Sequence, residues 1–146
     1  MKVETYLSQG KLLDQRINYS LKKLAELRNA ISDIHSPVIN KNRVQTSPSG
    51  DAPFVRALMR VEEMETQINR EIDMLIDLRK EIHDVINQVE DKQLRAVLEC
   101  KYLEGKRTTE IARQFHVCRD TIYRWMHEAL SQITLPEEPI VTRSYH

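Results

Sequence analysis

The run Thr108–Trp125, TTEIARQFHVCRDTIYRW, decides how this chain folds. Apolar residues fall at Ile111, Phe115, Val117, Ile122 and Trp125, with the small Ala112 directly after the first of them. Ile111 and Phe115 are four apart and Ile122 and Trp125 three apart, spacings at which side chains share one face of a helix. The pattern predicts two crossed helices, with Val117 plugging the turn. Ala112 sits at the crossing, where a larger side chain would overpack the contact at about 1–3 kcal/mol. His116 occupies the turn position that favours a left-handed backbone; Gly is usual there, and His is among the side chains that tolerate it.

This is the residue spacing of a DNA-binding helix-turn-helix, with a structural core of Ile111, Ala112, Phe115, Val117, Ile122 and Trp125. The second helix, read as about 119–133, turns Arg119, Asp120, Thr121, Tyr123, Arg124 and His127 outward. Such a set can reach phosphates and base edges when the helix enters a major groove. Lys106, Arg107, Thr109 and Arg113 complete the candidate DNA-binding residues. Thr108 or Thr109 is expected to cap the first helix through a side-chain oxygen, and Cys118 stands where the second would more often begin with Ser or Thr.

Working upstream, Leu94, Val97, Leu98 and Tyr102-Leu103 recur at helical spacing until Glu104-Gly105-Lys106, where Gly105 suits a left-handed C-cap. A third helix therefore precedes the pair. The whole run Asp91–Ile133, DKQLRAVLECKYLEGKRTTEIARQFHVCRDTIYRWMHEALSQI, resembles region 4 of sigma-70 family factors over about 43 residues. Its Tyr102-Leu103-Glu104-Gly105 turn, Glu110-Ile111-Ala112, Val117-Cys118-Arg119-Asp120-Thr121-Ile122 and Ala129-Leu130 fall in that family's register. The resemblance implies that the second helix reads a promoter element and puts Arg119, Asp120, Tyr123 and Arg124 at its DNA-facing positions. Arg119 and Asp120 match in chemistry as well as in place. Nothing in the chain resembles the sigma region that melts promoters, so a complete sigma factor is not expected.

The sequence before residue 91 has another character. Between Tyr6 and Ile34, Leu13, Ile17, Leu24, Leu27, Ile31 and Ile34 alternate in steps of three and four, broken only at Ser20, beside which Leu21 stands. A second narrow seam runs from Phe54 to Val89 through Leu58, Val61, Met64, Ile68, Ile72, Leu75, Leu78, Ile82, Ile86 and Val89. Each helix would be about 45 Å long or more at 1.5 Å per residue, and neither could bury its seam alone. The segment 36–53, with three Pro, one Gly and several small polar residues, is expected to be a loop. The result is an all-α chain. An antiparallel, coiled-coil-like hairpin over 1–90 leads into a helix-turn-helix domain of three to four helices over 91–134 and an extended tail over 135–146. The hairpin is expected either to dimerise, completing its burial, or to pack on its own DNA-binding domain.

The motifs NYSLKKLAELRNAISDIHSP, TSPSGDAPF and INQVEDKQLRAVLECKYLEGK extend a resemblance along most of the chain. It is similar to small regulators encoded by phages and prophages of Gram-positive bacteria, of the same general kind as the ArpU and RinA late-gene activators, and to a domain family of unassigned function among them. That resemblance implies transcriptional control of a phage operon.

Composition agrees with a local rather than global nucleic-acid surface. Lys plus Arg and Asp plus Glu balance at 22 each, which argues against a basic coat protein. Between Gly105 and His127, however, Lys106, Arg107, Arg113, Arg119 and Arg124 face only Glu110 and Asp120. Three Gly and few alternating β-branched runs leave little room for a sheet. Two Cys without CxxC spacing point to reduced thiols, and His116-x-Cys118 lacks the second pair a tetrahedral metal site needs, so no metal or cofactor is expected.

No apolar run approaches the roughly 18 residues of a membrane span and the N-terminus lacks the apolar core of a signal peptide, so a cytoplasmic protein is expected. With no phosphate-binding Gly loop, no His-Glu-x-x-His helix and no nucleophile elbow, an enzyme with a small-molecule substrate is not expected. His35 and His83 lie on or beside charged helices as surface imidazoles. The tail after Leu135, with Pro136 and Pro139, is expected to leave the last helix and fray.

The expected partners are double-stranded DNA, a second copy of the chain in a dimer, and host RNA polymerase. Two other classes compete with a promoter-binding regulator. One is a DNA-packaging protein like the small terminase subunits, which usually place the DNA-binding module first. The other is a region 4 mimic that binds polymerase alone and has no DNA affinity at any salt.

Overall fold

The computed structural model describes residues 1–34 and 48–142. Their regular structure is entirely helical: α1 (Val3–Ile34), α2 (Pro48–Ile86), α3 (Lys92–Leu98), a π-helical turn (Glu99–Leu103), α4 (Thr108–Gln114) and α5 (Arg119–Ser131). The expectation of an all-α protein holds. The expected loop over 36–53 divides: 48–53 is already the start of α2, while 36–47 lies outside the described residues. Pro48 takes the first helical position, where the missing N–H costs nothing. Pro53, inside the helix, removes one i→i−4 bond that the long downstream pattern outweighs.

Packing divides the chain into two compact units, Arg16–Asp73 and Met1–Gln15 with Met74–His146, to both of which α1 and α2 contribute. Within Arg16–Asp73, ion pairs join Arg28 to Glu65 and Arg16 to Glu71, so the two helices run antiparallel there. Ile17, Leu24, Ile31 and Ile68 are buried along the contact, while Leu21, Val55, Leu58 and Met59 stay exposed. Glu71 sits in this apolar seam only 7 % exposed. The Arg16 guanidinium at 3.5 Å and the Gln67 amide donating at 3.4 Å are the partners that offset its desolvation.

The other unit is anchored by the start of α1 against the end of α2, again antiparallel, with Tyr6 donating to Glu81 and Arg79 paired with Asp14 at 3.6 Å. Tyr6, Leu7, Leu13, Leu78, Ile82 and Ile86 are buried, and burial first, then the Glu81 bond, pushes the Tyr6 phenol well above its ordinary pKa. Val89 closes the end of the second seam, fully buried.

Asp91 then caps α3, its carboxylate accepting from Gln93 N at 2.8 Å and Leu94 N at 3.3 Å. Beyond Leu98 the expected α-helix widens into the π turn, where Glu104 N donates to Glu99 O and Lys106 N to Cys100 O, both at 3.0 Å. The extra residue turns Cys100 inward, and burial raises its thiol pKa. Tyr102 lies half-buried, its phenol pushed up to about 12 by burial and by nearby Glu4. Gly105, with φ +68°, takes the chain out of this turn in the left-handed conformation that its sequence position suggested.

Val97, Cys100, Ile111, Ala112, Ile122 and Met126 form the core beneath α3, α4 and α5. Burial of the larger aliphatic members contributes about 1.5–3 kcal/mol each.

The tail corrects an expectation. Past α5 it has no regular structure, and it is pinned as far as Thr142 instead of fraying. Thr134 exchanges two bonds with the Gln88 side chain, at 2.9 and 3.2 Å. Ile140 N donates to Glu81 and Ile140 O accepts from Gln9, both at 3.0 Å, while Thr142 N donates to Gln9 at 2.8 Å. These side chains grip backbone groups as a neighbouring strand would, so the tail's own side chains carry no signal of it.

Candidate nucleic-acid interface

The turn between α4 and α5 is set by His116 at φ +57°. Val117 N donates to Ala112 O at 3.0 Å and His116 N to Arg113 O at 3.3 Å, the paired bonds of a Schellman C-cap with His116 in the place Gly usually takes. This geometry ends α4 after Gln114 and lets α5 begin at Arg119 with a new direction.

One capping expectation needs correction. Arg107, not a Thr, is the N-cap of α4 and makes no side-chain cap bond; Thr108 lies one position inside the helix and is buried. Cys118 is the N-cap of α5, the place its position in the chain suggested; its thiol faces the Thr121 hydroxyl at 3.2 Å and makes no side-chain cap hydrogen bond. The Thr121 hydroxyl first, then the polar backbone at Thr121 and Asp120, lowers the Cys118 pKa, with desolvation and the Asp120 charge opposing.

The inner face of α5 is Ile122, Met126, Ala129 and the following Ile133, all buried. Trp125, expected to share that face, is half-buried at its edge, its ring edge-on to Phe115 with centroids 6.3 Å apart. Both three- and four-residue steps from Ile122 are compatible with one face; the continuation to Ala129 and Ile133 selects Met126. Trp125→Ala is therefore expected to cost about 1–2 kcal/mol, below the roughly 3–5 kcal/mol of a fully buried aromatic. Denaturant unfolding followed by circular dichroism measures it, and a loss above that range would return the ring to the core.

Opposite this face, Asp120, Arg124 and His127 follow one another at steps of four and three along the exposed side of α5, with Arg119 and Tyr123 on its flank. Tyr123 is 54 % exposed. Thr121 is half-buried, its hydroxyl engaged by Cys118. From α4 and the residue before it, Arg107, Thr109 and Arg113 are exposed. Lys106 is held by Glu104 and Gln114, each at 2.8 Å, and the Glu104 bond raises its pKa.

The side chains of Arg107, Arg113, Arg119, Tyr123, Arg124 and His127 make no hydrogen bond or ion pair among the described residues. Elsewhere Arg16, Arg28 and Arg79 are taken up by carboxylates. Chemically, α5 thus offers guanidinium donors, a carboxylate acceptor, an imidazole and a phenol on a helix about 20 Å long. A helix of about 10–12 Å diameter fits a major groove about 12 Å wide.

One neighbour of this surface was not foreseen. An open cleft of about 320 Å³ beside α5 is lined by Lys2, Val3 and Glu4 together with His127, Leu130 and Ser131. No local sequence pattern could bring residues from opposite ends of the chain together. Among the described residues no group of three or more His, Cys, Asp or Glu could hold a metal ion, and no helix is long and apolar enough to cross a membrane.

No curated protein and no solved structure matches the chain. Residues 33–134, well over half its length and including α2, α3, α4 and α5, match a family described as protein of unknown function, DUF1492. The chain belongs to that family.

Proposed function

We propose that this protein is a sequence-specific, double-stranded DNA-binding transcriptional regulator of a phage or prophage operon. In this reading α4 and α5 are a helix-turn-helix of the sigma region 4 kind, and α1 and α2 form the antiparallel hairpin that carries it. The observation behind it is the outer surface of α5, α4 and the residue before α4, where five basic or aromatic side chains without a partner among the described residues, Arg107, Arg113, Arg119, Tyr123 and Arg124, stand over a packed core. α5 enters the major groove, Arg119 and Arg124 donate to phosphates or guanine edges, and Tyr123 packs on backbone or thymine methyls.

A dimer supports this role, because two copies of α5 can address half-sites about 34 Å apart. The exposed Leu21, Val55, Leu58 and Met59 give the Arg16–Asp73 unit apolar surface for such an association. Host RNA polymerase is the second partner that a region 4 likeness brings with it.

The test is enrichment from a library of intergenic duplexes at two salt concentrations. Selective recovery of sequence upstream of an operon is expected, with log affinity falling by about 0.9 per log salt for each phosphate neutralised. Enrichment at a packaging site together with a large ring in solution would replace this reading with a terminase-like one. Absence of any enrichment would overturn DNA binding.

A further inference from the structure

Resting on the DNA-binding reading, we infer that the start of α1 forms a second wall of the interface, with Lys2 as a phosphate contact flanking the groove that α5 enters. Three observations carry this. His127 and Ser131 prolong the outward line of Asp120 and Arg124 by two turns of α5, and Lys2 lies across the same cleft from them. Lys2 is exposed and its ammonium has no partner among the described residues. Its position is fixed rather than trailing: Lys2 O accepts from Tyr6 N at 3.0 Å, and the tail leaving α5 is bonded through Ile140 and Thr142 to Gln9, two turns further along α1.

Ser131 lies eleven residues beyond Asp120, about 16 Å along the helix. A cation there lies beyond the base edges that the first turns of α5 would read and meets the sugar-phosphate backbone beside them. Its contribution is therefore independent of sequence. Glu4 lines the same cleft and opposes the contact. The matched family region begins at residue 33, so this wall stands outside it.

The experiment compares the full chain with Lys2→Ala, Glu4→Gln and, as a control, Lys11→Ala, titrating a duplex selected by the wild type and an unrelated duplex over a range of salt. Lys2→Ala is expected to reduce the log-log salt slope by about 0.9 on both duplexes, leaving their affinity ratio unchanged. Glu4→Gln is expected to tighten binding at low salt, and Lys11→Ala to match wild type. A wild type that binds with the slope Lys2→Ala also shows overturns the Lys2 contact alone. A wild type that retains no duplex even at low salt overturns the DNA-binding reading and the contact with it. Unchanged far-ultraviolet circular dichroism shows that each variant folds.

Discussion

Replacing Arg119 and Arg124 together by Ala is expected to weaken binding of the selected duplex by about 30-fold to 20,000-fold, taking roughly 1–3 kcal/mol for each arginine that reads a base edge. Both side chains are exposed at α5 and make no ion pair among the described residues, so their removal frees no buried partner. Helicity and oligomeric state should be unchanged. The way affinity is lost separates two roles. If the arginines contact phosphates, the salt slope falls by about 1.8 and all sequences weaken alike. If they read guanine edges, the preference for the selected duplex collapses towards that for unrelated DNA. A double variant that binds as wild type does would show that the recognition surface lies elsewhere.

The second large effect concerns folding. Ile122→Ala removes a fully buried side chain from the centre of the core shared by α3, α4 and α5. Truncations of this kind cost about 2–5 kcal/mol, a large share of the roughly 5–15 kcal/mol that holds a domain together. Trp125, the only tryptophan, packs against that core beside Phe115 and reports on it directly. Fluorescence-detected unfolding of Ile122→Ala should shift to lower denaturant, with DNA binding declining in parallel. A midpoint equal to wild type would mean that α5 is not held by its inner face.

Which parts of this architecture could be read in advance follows from the range of the interactions involved. The packing of α4 and α5 rests on contacts a few residues apart, so Ile111, Ala112 and Ile122 announce themselves by spacing, and His116 and Gly105 by the left-handed backbone their places require. The seam of α1 is equally visible, since Leu13, Ile17, Leu24 and Ile31 recur on one face and are buried. Phase errors arise where two steps are both helical: Trp125 and Met126 each fit Ile122, and only the later Ala129 and Ile133 decide between them. The π turn escaped because one inserted residue leaves local propensity unchanged while rotating Cys100 into the core. The start of α2 was missed because Pro48 reads as a breaker unless its place at the first helical position is known.

The outward residues of α5 were legible as a set, for they are what an amphipathic helix leaves over once its inner face is assigned. Lys2 was not, and neither were Gln9, Glu81 and Gln88, because each acts on a segment far away in sequence. A polar side chain that will bond a distant backbone looks the same in sequence as one that will bond water.

The pinned tail also has a consequence for the order of events during synthesis. Gln9 finds its carbonyl partner 131 residues later in the chain. The early turns of α1 leave the ribosome long before that partner exists, and closing so large a loop is slow. The helices can form as the chain emerges, and the core of α3, α4 and α5 can close from neighbours in sequence. Until Ile140 and Thr142 emerge, the Gln9 side-chain oxygen has water as its partner and Glu81 has Tyr6 without the tail, so the bonds to the tail are the last of this unit to form.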